Sequence, residues 1–491
     1  MGKIKINILN DNVKSKILDE GLRVLMDPGV KIDNESALNL IAEAGGNVER
    51  NNSVAQIPEK IVFDALRTVP DEFDLYNLQG MPVVKYGGNN IHFDPGSTAI
   101  FYLDPETGKH RQAVSEDLIN FVKIVEMLPQ LDAQSTAFIC TDVPEEMGDW
   151  YRLYLALNFM NKPIITGAFG KETWWVMKEM LSVVSGGDHE LALKPIAVFD
   201  VCPSPPLSWS DLTCQNLIDC AKAKIPAELV SMPLAGATAP VTLAGAVVQH
   251  TAENLSGIVI HQLANPGAPI IWGGSPSIFD MKNGTTPMGA AGTWLIDAAY
   301  VEIGKSLNIP THVYMGMSDA KIIDAQCGFE SMGGALAASL TGANMISGAG
   351  MLDFESCQSI EKLVIDAEII GLAKRFAEGI KEREDPIGLD LIQEMGHRSG
   401  YLANPHTRKW YKEEFYIPSD VVDRSSYDAW ELNGAKPVEE RADKRVEKLI
   451  QYYQQPAFDK GKRWELQKIA KVEASKHGLK SLPFKYALNA M

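Results

Sequence analysis

The sequence lacks the features that mark membrane, secreted or nucleic-acid-binding proteins. No uninterrupted apolar stretch in its 491 residues approaches the roughly 18–20 residues of a membrane helix. The N-terminus is basic but has no apolar signal-peptide core. There are six cysteines, none of them in a Cys-x-x-Cys pair, and the net charge of −17 disfavours non-specific contact with nucleic acid. We therefore expect a reduced, cytoplasmic protein with no membrane or nucleic-acid partner.

Several common catalytic motifs are also missing. The chain has no Gly-x-x-x-x-Gly-Lys-Ser/Thr phosphate loop and no Gly-x-Ser-x-Gly nucleophile elbow between a strand and a helix. Its nine histidines are scattered, with no pair at the spacing of metal ligands. Hydrolysis by a catalytic triad or at a tight zinc site is therefore unsupported, and we predict no protein-bound metal.

What the sequence does contain is an eightfold alternation of apolar, β-branched runs and helix-like stretches. The strand-like runs are 91–96, 136–142, 163–169, 195–202, 227–233, 268–274, 311–317 and 344–350. The helix-like stretches are 117–127, 148–160, 173–184, 211–223, 242–263, 289–307, 324–340 and 360–380. Such alternation predicts parallel strands with right-handed crossovers, and eight units are the number that closes a TIM barrel. We predict an α/β protein with a (β/α)₈ barrel.

Two appendages flank the predicted barrel. Residues 1–90 are predicted to form an N-terminal α+β cap, residues 91–380 the TIM barrel catalytic domain, and residues 381–491 a C-terminal arm with helices. Residues 431–491, at the end of the arm, are basic on an otherwise acidic chain, which suits a docked partner or neighbouring subunit but equally a solvated helical face. We also expect a homo-oligomer.

The predicted barrel directs attention to the carboxyl ends of its strands, where such enzymes place their chemistry. Aromatic and acidic residues occur there, and the candidates are Phe93, Phe199, Trp209, Trp272 and Tyr314, with Asp200. Aromatic faces attract quaternary ammonium groups, and a nearby carboxylate adds attraction. Alternatively, several of these rings simply cover the top of the barrel.

Small residues are dense at the same strand ends, namely Gly273, Gly274, Gly316, Gly348 and Gly350. Glycine in such positions lets a large flat ligand approach the backbone, although tight turns would also require it.

The segments at these ends resemble one family. The matching segments are Trp272-Gly273-Gly274-Ser275-Pro276, Met315-Gly316-Met317-Ser318-Asp319-Ala320-Lys321, Asp324-Ala325-Gln326, Gly348-Ala349-Gly350-Met351-Leu352, Tyr401-Leu402-Ala403-Asn404-Pro405-His406-Thr407, Asp423-Arg424 and Trp430-Glu431. Together they resemble the trimethylamine:corrinoid methyltransferase superfamily over nearly the whole chain.

The resemblance implies an enzyme that moves a methyl group from an N-methylated amine to the cobalt(I) of a corrinoid, which a separate corrinoid protein carries. Trimethylamine enzymes of this superfamily contain pyrrolysine, whereas this chain contains standard residues throughout. A quaternary amine leaves as a neutral tertiary amine and needs no such activation. The resemblance therefore implies a quaternary amine:corrinoid methyltransferase that lacks pyrrolysine, with glycine betaine favoured and carnitine, γ-butyrobetaine or proline betaine possible.

On this interpretation catalysis is mainly positioning, with no general base. The substrate carboxylate would bind Lys321, His312, Gln326 or a helix N-terminus, although Lys321 could instead pair with Asp319 or Asp324. The corrin ring would land on the five glycines together with Ser318 and Asp319. Two rival hypotheses stay open: a barrel lyase or aldolase that uses Lys321 as a Schiff base, and a non-catalytic betaine-binding protein.

Overall fold

The computed structural model describes residues 4–484 of the chain. The N-terminal part contains three helices and five short strands. They are α1 (Asp11–Met26), β1 (Val30–Ile32), α2 (Glu35–Glu43), β2 (Asn47–Glu49), β3 (Val54–Gln56), α3 (Glu59–Leu66), β4 (Glu72–Tyr76) and β5 (Pro82–Gly87). Strands β4 and β5 form an antiparallel hairpin.

The central part alternates strands and helices, as its sequence pattern predicts. Its elements are β6 (His92–Pro95), β7 (Phe101–Leu103), β8 (His110–Arg111), α4 (Ser115–Met127), β9 (Gln134–Ser135), α5 (Gly148–Phe159), β10 (Ile164–Thr166), α6 (Lys171–Ser185), α7 (Asp188–Leu193), β11 (Ala197–Val201), β12 (Ser208–Trp209), α8 (Asp211–Ala223), β13 (Ala227–Leu229), β14 (Leu234–Ala235), α9 (Leu243–Ala264), β15 (Ile270–Ile271), β16 (Ser277–Ile278), α10 (Ala291–Ser306), β17 (His312–Tyr314), α11 (Ala325–Thr341), β18 (Met345–Ala349), β19 (Met351–Leu352), β20 (Cys357–Gln358) and α12 (Ile360–Ala377).

Eight of these strands form two parallel sheets. One sheet has the order β15-β13-β11-β10-β9, and the other has the order β17-β18-β6. Two isolated parallel bridges, Trp272–Thr311 and Ala99–Phe138, join residues beside strands of the two different sheets. The other strands of the central part lie mainly in the loops that follow the parallel strands. One of them, β12, pairs with β1 of the N-terminal part.

The predicted strand positions agree with the structure except at the second strand. Seven observed strands fall inside the predicted runs, but β9 comprises Gln134 and Ser135, before the predicted 136–142. Both residues are polar and fully buried: the Gln134 amide donates to Val122 O, and Ser135 Oγ donates to Gly96 O. The prediction was wrong here because buried hydrogen bonds satisfy side chains that an apolar pattern excludes.

The C-terminal part is helical and packs on the helices of the central part. Its helices are α13 (Leu389–Met395), α14 (Pro405–Glu414), α15 (Tyr427–Leu432), α16 (Val438–Tyr452) and α17 (Lys460–Lys476). Helix α16 contacts α12 and α4, while α17 contacts α6 and α5. Within residues 4–484, no helix is long and apolar enough to cross a membrane.

Candidate active site

An apolar layer lies between the inner faces of the two parallel sheets. Ile165, Val198, Ile271 and Met345 lie in this layer, one from each of four strands. The β4–β5 hairpin contributes further apolar side chains, namely Leu75, Val84 and Tyr86. Successive side chains of a strand point to opposite faces. Residues two positions farther along, such as Asp200 and Ser347, therefore share the inner face.

Six polar side chains on this inner face form what we call the inner cluster: Asp94, Asp200, Glu228, His312, Tyr314 and Ser347. Ser347 Oγ donates to Asp94 Oδ1 at 2.6 Å and lies 3.1 Å from His312 Nε2. His312 Nδ1 lies 2.6 Å from a Glu228 carboxylate oxygen. Asp200 and Glu228 are register partners on β11 and β13. The inner cluster therefore spans both sheets.

Residues at the rim tie the inner cluster to the loop after β6. Ser97 Oγ donates to Asp200 Oδ2 at 3.0 Å, and Tyr314 Oη donates to the Ser97 carbonyl at 3.4 Å. Asp94, Glu228 and His312 are buried, whereas Asp200 and Ser97 are partly exposed. The cluster is thus reached from solvent on the Asp200 side.

The inner cluster is rich in carboxyl groups and poor in cations. Within residues 4–484, no lysine or arginine forms an ion pair with Asp94, Asp200 or Glu228, and the basic group in contact with them is the His312 imidazole. One oxygen of Asp94 and one of Asp200 accept no hydrogen bond there. Such a cluster is electrostatically incomplete.

Burial sets the protonation of these groups. It raises the pKa of Glu228 to about 8, and it raises the pKa values of Asp94 and Asp200 well above their usual range, with neighbouring carboxylates acting in the same direction. Burial also lowers the pKa of His312 to about 3. At neutral pH the cluster therefore retains protons, since like charges cannot all ionise in one buried space.

A strained segment carries another carboxyl group near the site. Asp353, Phe354 and Glu355 have φ angles of 51°, 55° and 70°, three consecutive non-glycine residues in the left-handed region. Glu355 Oε1 accepts a hydrogen bond from Ser275 Oγ at 2.6 Å, and burial raises the pKa of Glu355 to about 7. Strain of this kind concentrates at functional sites.

The structure does not bring the predicted aromatic residues together as a cage. Four of the rings, which we call the outer aromatic set, lie between the strands and the surrounding helices: Phe93, Phe199, Trp209 and Trp272. Trp272 Nε1 donates to Tyr300 O on α10, and Trp209 Nε1 donates to Ser256 Oγ on α9. The Phe199 ring lies 5.9 Å from that of Trp174, and Lys374 Nζ of α12 lies 5.5 Å from the Phe93 ring.

The physical reason is strand alternation. Phe93 and Phe199 each adjoin an inward carboxyl group, Asp94 or Asp200, so the pleat turns the aromatic rings outward. Tyr314 shares the inner face with His312, and it is the predicted aromatic residue that the structure brings to the cluster, with Asp200 and His312 beside it.

The predicted carboxylate anchors are engaged elsewhere. Lys321 Nζ donates to Asp319 O at 2.7 Å and lies 3.8 Å from the Phe354 ring centroid. The Gln326 amide donates to Glu330 at 2.9 Å. His312 is neutral and faces Glu228, so it does not attract an anion. The structure thus gives each of the three predicted anchors a partner of its own within the fold.

The predicted corrin-landing residues are buried and offer no surface. All seven are buried: Gly273, Gly274, Gly316, Ser318, Asp319, Gly348 and Gly350. A Cβ at Gly274 would lie 2.5 Å from His250 Nε2, and Ser318 Oγ donates to Glu330. Asp319 accepts from two backbone N–H groups, those of Met288 and Gly289. These residues shape turns and tight packing, and the structure does not bring them together as an exposed surface.

Sequence reasoning missed Glu228 and Glu355. Glu228 is a lone acid inside the strand Ala227–Leu229, an exception to an apolar run that would have signalled function. Glu355 follows the last strand in a loop whose conformation the sequence does not reveal. Among residues 4–484, no group of three or more histidine, cysteine or carboxylate side chains has the arrangement of a metal site.

The comparisons with known proteins give the family. Residues 2–476 match the family model described as trimethylamine methyltransferase (MTTB). The chain belongs to this family. It is therefore an enzyme of the methyltransferase class, and the resemblance seen in the sequence is confirmed.

Relatives within the family that are named for different activities have similar sequence identity to this chain. The chain is 32% identical over 464 residues to trimethylamine methyltransferase MttB of Methanosarcina thermophila, covering 93% of this chain and 95% of the relative. It is 30% identical over 463 residues to glycine betaine methyltransferase of Desulfitobacterium hafniense strain Y51, covering 94% and 96%. Identity therefore does not decide the substrate of this family member.

Solved structures support the fold of the family member. The monomethylamine methyltransferase MtmB of Methanosarcina barkeri aligns with a TM-score of 0.54 at 12% identity, covering 91% of this chain and 89% of that chain. Its hydroxylamine complex aligns with the same TM-score at 11% identity, covering 90% and 89%. At this identity the likeness concerns the α/β fold alone.

Proposed function

We propose that this enzyme transfers a methyl group from a quaternary amine to the cobalt(I) corrinoid of a separate corrinoid protein. Glycine betaine is the first choice of substrate, with carnitine, γ-butyrobetaine and proline betaine as alternatives. The observation that carries the proposal is the inner cluster, where three carboxyl groups are buried with one imidazole as their basic contact.

A quaternary ammonium group supplies the charge that the inner cluster lacks. It carries a permanent positive charge and no N–H donor, so it suits carboxylates acting through charge rather than through directed hydrogen bonds. Cation binding favours ionised carboxyl groups over the protonated forms that burial imposes on Asp200 and Glu228. Tyr314 offers an aromatic face on the same side.

The chemistry of the leaving group points to a quaternary substrate. When the N–CH₃ bond breaks, its electron pair stays on nitrogen and the amine leaves neutral, while the methyl carbon bonds to cobalt. The reaction requires no general base, and His312 therefore has no role in proton transfer. The chain's residues contribute by binding and orienting the cation.

The corrinoid protein is proposed to dock over the strand ends. Several large apolar side chains are exposed on loops that follow parallel strands, including Phe169, Met232 and Met281. Exposed apolar residues gathered on one side of a protein are typical of interaction surfaces. They support docking at this side, in place of the buried glycines.

The proposal includes the predicted architecture. The bridges Trp272–Thr311 and Ala99–Phe138 support the two parallel sheets joining as one closed (β/α)₈ barrel. In this arrangement residues 91–380 form the catalytic domain, residues 1–90 the cap and residues 381–491 the arm.

A substrate panel tests the proposed function. The full chain is incubated with cob(I)alamin, or with a cognate corrinoid protein, and each amine, and methylcobalamin is followed by absorbance. We expect a carboxylated quaternary amine to be the best substrate. Trimethylamine as the best substrate, or no turnover of any quaternary amine, would contradict the proposal.

A further inference from the structure

A buried arginine without an ion-pair partner lies beside the inner cluster. The Arg152 side chain is 0% exposed. Its Nε donates to Gly148 O at 3.0 Å, and its Nη1 donates to Thr98 Oγ1 at 3.0 Å and to Thr136 O at 2.9 Å. All three acceptors are neutral. Within residues 4–484, Nη2 has no hydrogen-bond partner. Burial lowers the pKa of Arg152 to about 10 against the opposing charges of Asp149 and Asp200, neither of which is within ion-pair distance.

An uncompensated buried charge is costly, so its neighbours normally satisfy it. The other buried cations of the chain follow this rule. Lys362 Nζ pairs with Asp366, and Lys162 Nζ donates all its hydrogens, to the carbonyls of Val125, Leu128 and Leu131. Arg152 is the exception among these three, with one donor group of its planar fork unused.

The position of Arg152 relates it to the inner cluster. Thr98, which accepts from Arg152, directly follows Ser97, which donates to the Asp200 carboxylate. Ser97, Thr98 and Asp200 are all partly exposed. The Asp200 carboxylate and the Arg152 guanidinium are therefore held by adjacent residues of a single loop, Ser97 and Thr98.

An exposed ring covers the guanidinium. The Phe169 ring centroid lies 4.9 Å from Arg152 Cζ, and Phe169 is 55% exposed on the loop after β10. Phe169 also lines a cavity of about 930 Å³ together with Gly148 and Thr173. A ring that is half in solvent can turn away, which frees Nη2 for another partner.

We propose that Arg152 binds the carboxylate of a zwitterionic substrate whose ammonium group lies at Asp200 and Glu228. This inference rests on the proposed function and deepens it, because it selects amino-acid betaines over quaternary amines without an acid group. A guanidinium fork binds a carboxylate through charge-assisted hydrogen bonds. Glycine betaine, whose nitrogen and carboxylate are separated by one methylene, would place its two charges on the two adjacent sites.

The test compares two ligands that differ in one charge. Glycine betaine and its neutral amide, betaine amide, keep the same trimethylammonium head. For the wild-type full chain, kcat/KM in the methylcobalamin assay and Kd from calorimetry should both favour the acid. In R152Q, kcat/KM and affinity for glycine betaine should fall about 30-fold or more, because one partner of a desolvated charge pair is lost. For betaine amide the change should stay within about threefold.

Two further variants make the result decisive. R152K keeps a point charge without the fork, so the ratio of acid to amide should be intermediate, and this variant decides the case if R152Q does not fold. K162Q removes another buried cation that serves structure alone, and it should leave the ratio unchanged. An equal loss of both ligands in R152Q and R152K would overturn the role of Arg152. A wild-type enzyme that binds neither ligand would overturn the proposed function as well.

Discussion

The inner cluster and the outer aromatic set lie on opposite sides of the parallel strands, with Phe93 and Phe199 directly preceding Asp94 and Asp200, yet they differ in how completely they are satisfied. Trp209 and Trp272 are fully buried, and each indole N–H has a partner. Glu228 is equally buried, but within residues 4–484 it has no lysine or arginine partner, and the basic group beside it is the His312 imidazole. Satisfied packing indicates stability, whereas buried carboxyl groups with perturbed pKa values and no cationic partner indicate a ligand. The comparison assigns substrate binding to the inner cluster and folding to the outer aromatic set.

The largest effect is expected when a carboxylate is removed from the inner cluster. Asp200→Asn should lower kcat/KM for the quaternary amine by about 100-fold or more, because a buried cation loses its opposing charge. The matched control is the neighbouring outward residue, Phe199→Leu, which should leave KM nearly unchanged. A loss of activity in the control equal to that of Asp200→Asn would invalidate the division between the two regions.

The second test measures how substrate affinity depends on pH. Glu228 has a pKa of about 8 in the folded enzyme, and cation binding favours its ionised form. Substrate affinity should therefore rise with pH by up to about tenfold per unit below pH 8, and then level off. Calorimetric Kd values across pH 6–9 measure this dependence, and Glu228→Gln should flatten it. A profile that stays the same in Glu228→Gln would exclude Glu228 as the titrating group.

The same pKa shift predicts a change in stability. Glutamate has an ordinary pKa of 4.5, so between pH 4.5 and about 8 the folded state binds more protons than the unfolded state. The contribution of Glu228 to stability is therefore fully present below pH 4.5 and is lost as pH rises through about 8. Denaturant unfolding of the wild type and of Glu228→Gln at several pH values tests this sign.

The sequence predicted the fold of the central part better than the site within it. Strand and helix positions depend on local apolar patterning, which survives in runs such as 195–202 and 311–317. The direction of each side chain depends on register, and a shift of one residue exchanges the inner and outer faces. Phe199 and Asp200 were both predicted to bind substrate, although neighbouring strand residues cannot face the same side. The unpaired state of Arg152 depends on tertiary contacts that no local pattern encodes.

A smaller effect is expected from the outer aromatic set. Trp272→Phe removes the hydrogen bond to Tyr300 O and part of a close-packed ring, so it should lower the free energy of unfolding by about 1–3 kcal/mol. The KM of the folded variant should stay within about twofold of the wild-type value. A large increase in KM with unchanged stability would instead indicate that Trp272 contacts the substrate.

The smallest effect is expected at Lys321. Its ion pair with Asp353, at 3.4 Å, is partly exposed, so Lys321→Ala should cost about 0–1 kcal/mol of stability. Activity should persist within about threefold, since Lys321 does not contact the inner cluster. Borohydride trapping of a carbonyl compound at Lys321 would instead support the Schiff-base hypothesis.

The central claim is that the ammonium group of the substrate binds at the inner cluster. Arsenobetaine replaces the quaternary nitrogen of glycine betaine with arsenic, whose anomalous scattering locates that atom directly in a crystal of the complex. We predict an arsenic peak within about 4–6 Å of the Asp200 and Glu228 carboxylates, with the ligand carboxylate directed toward Arg152. A peak beside Trp272 or Trp209, or in the cavity lined by Phe169 and distant from Asp200, would contradict it.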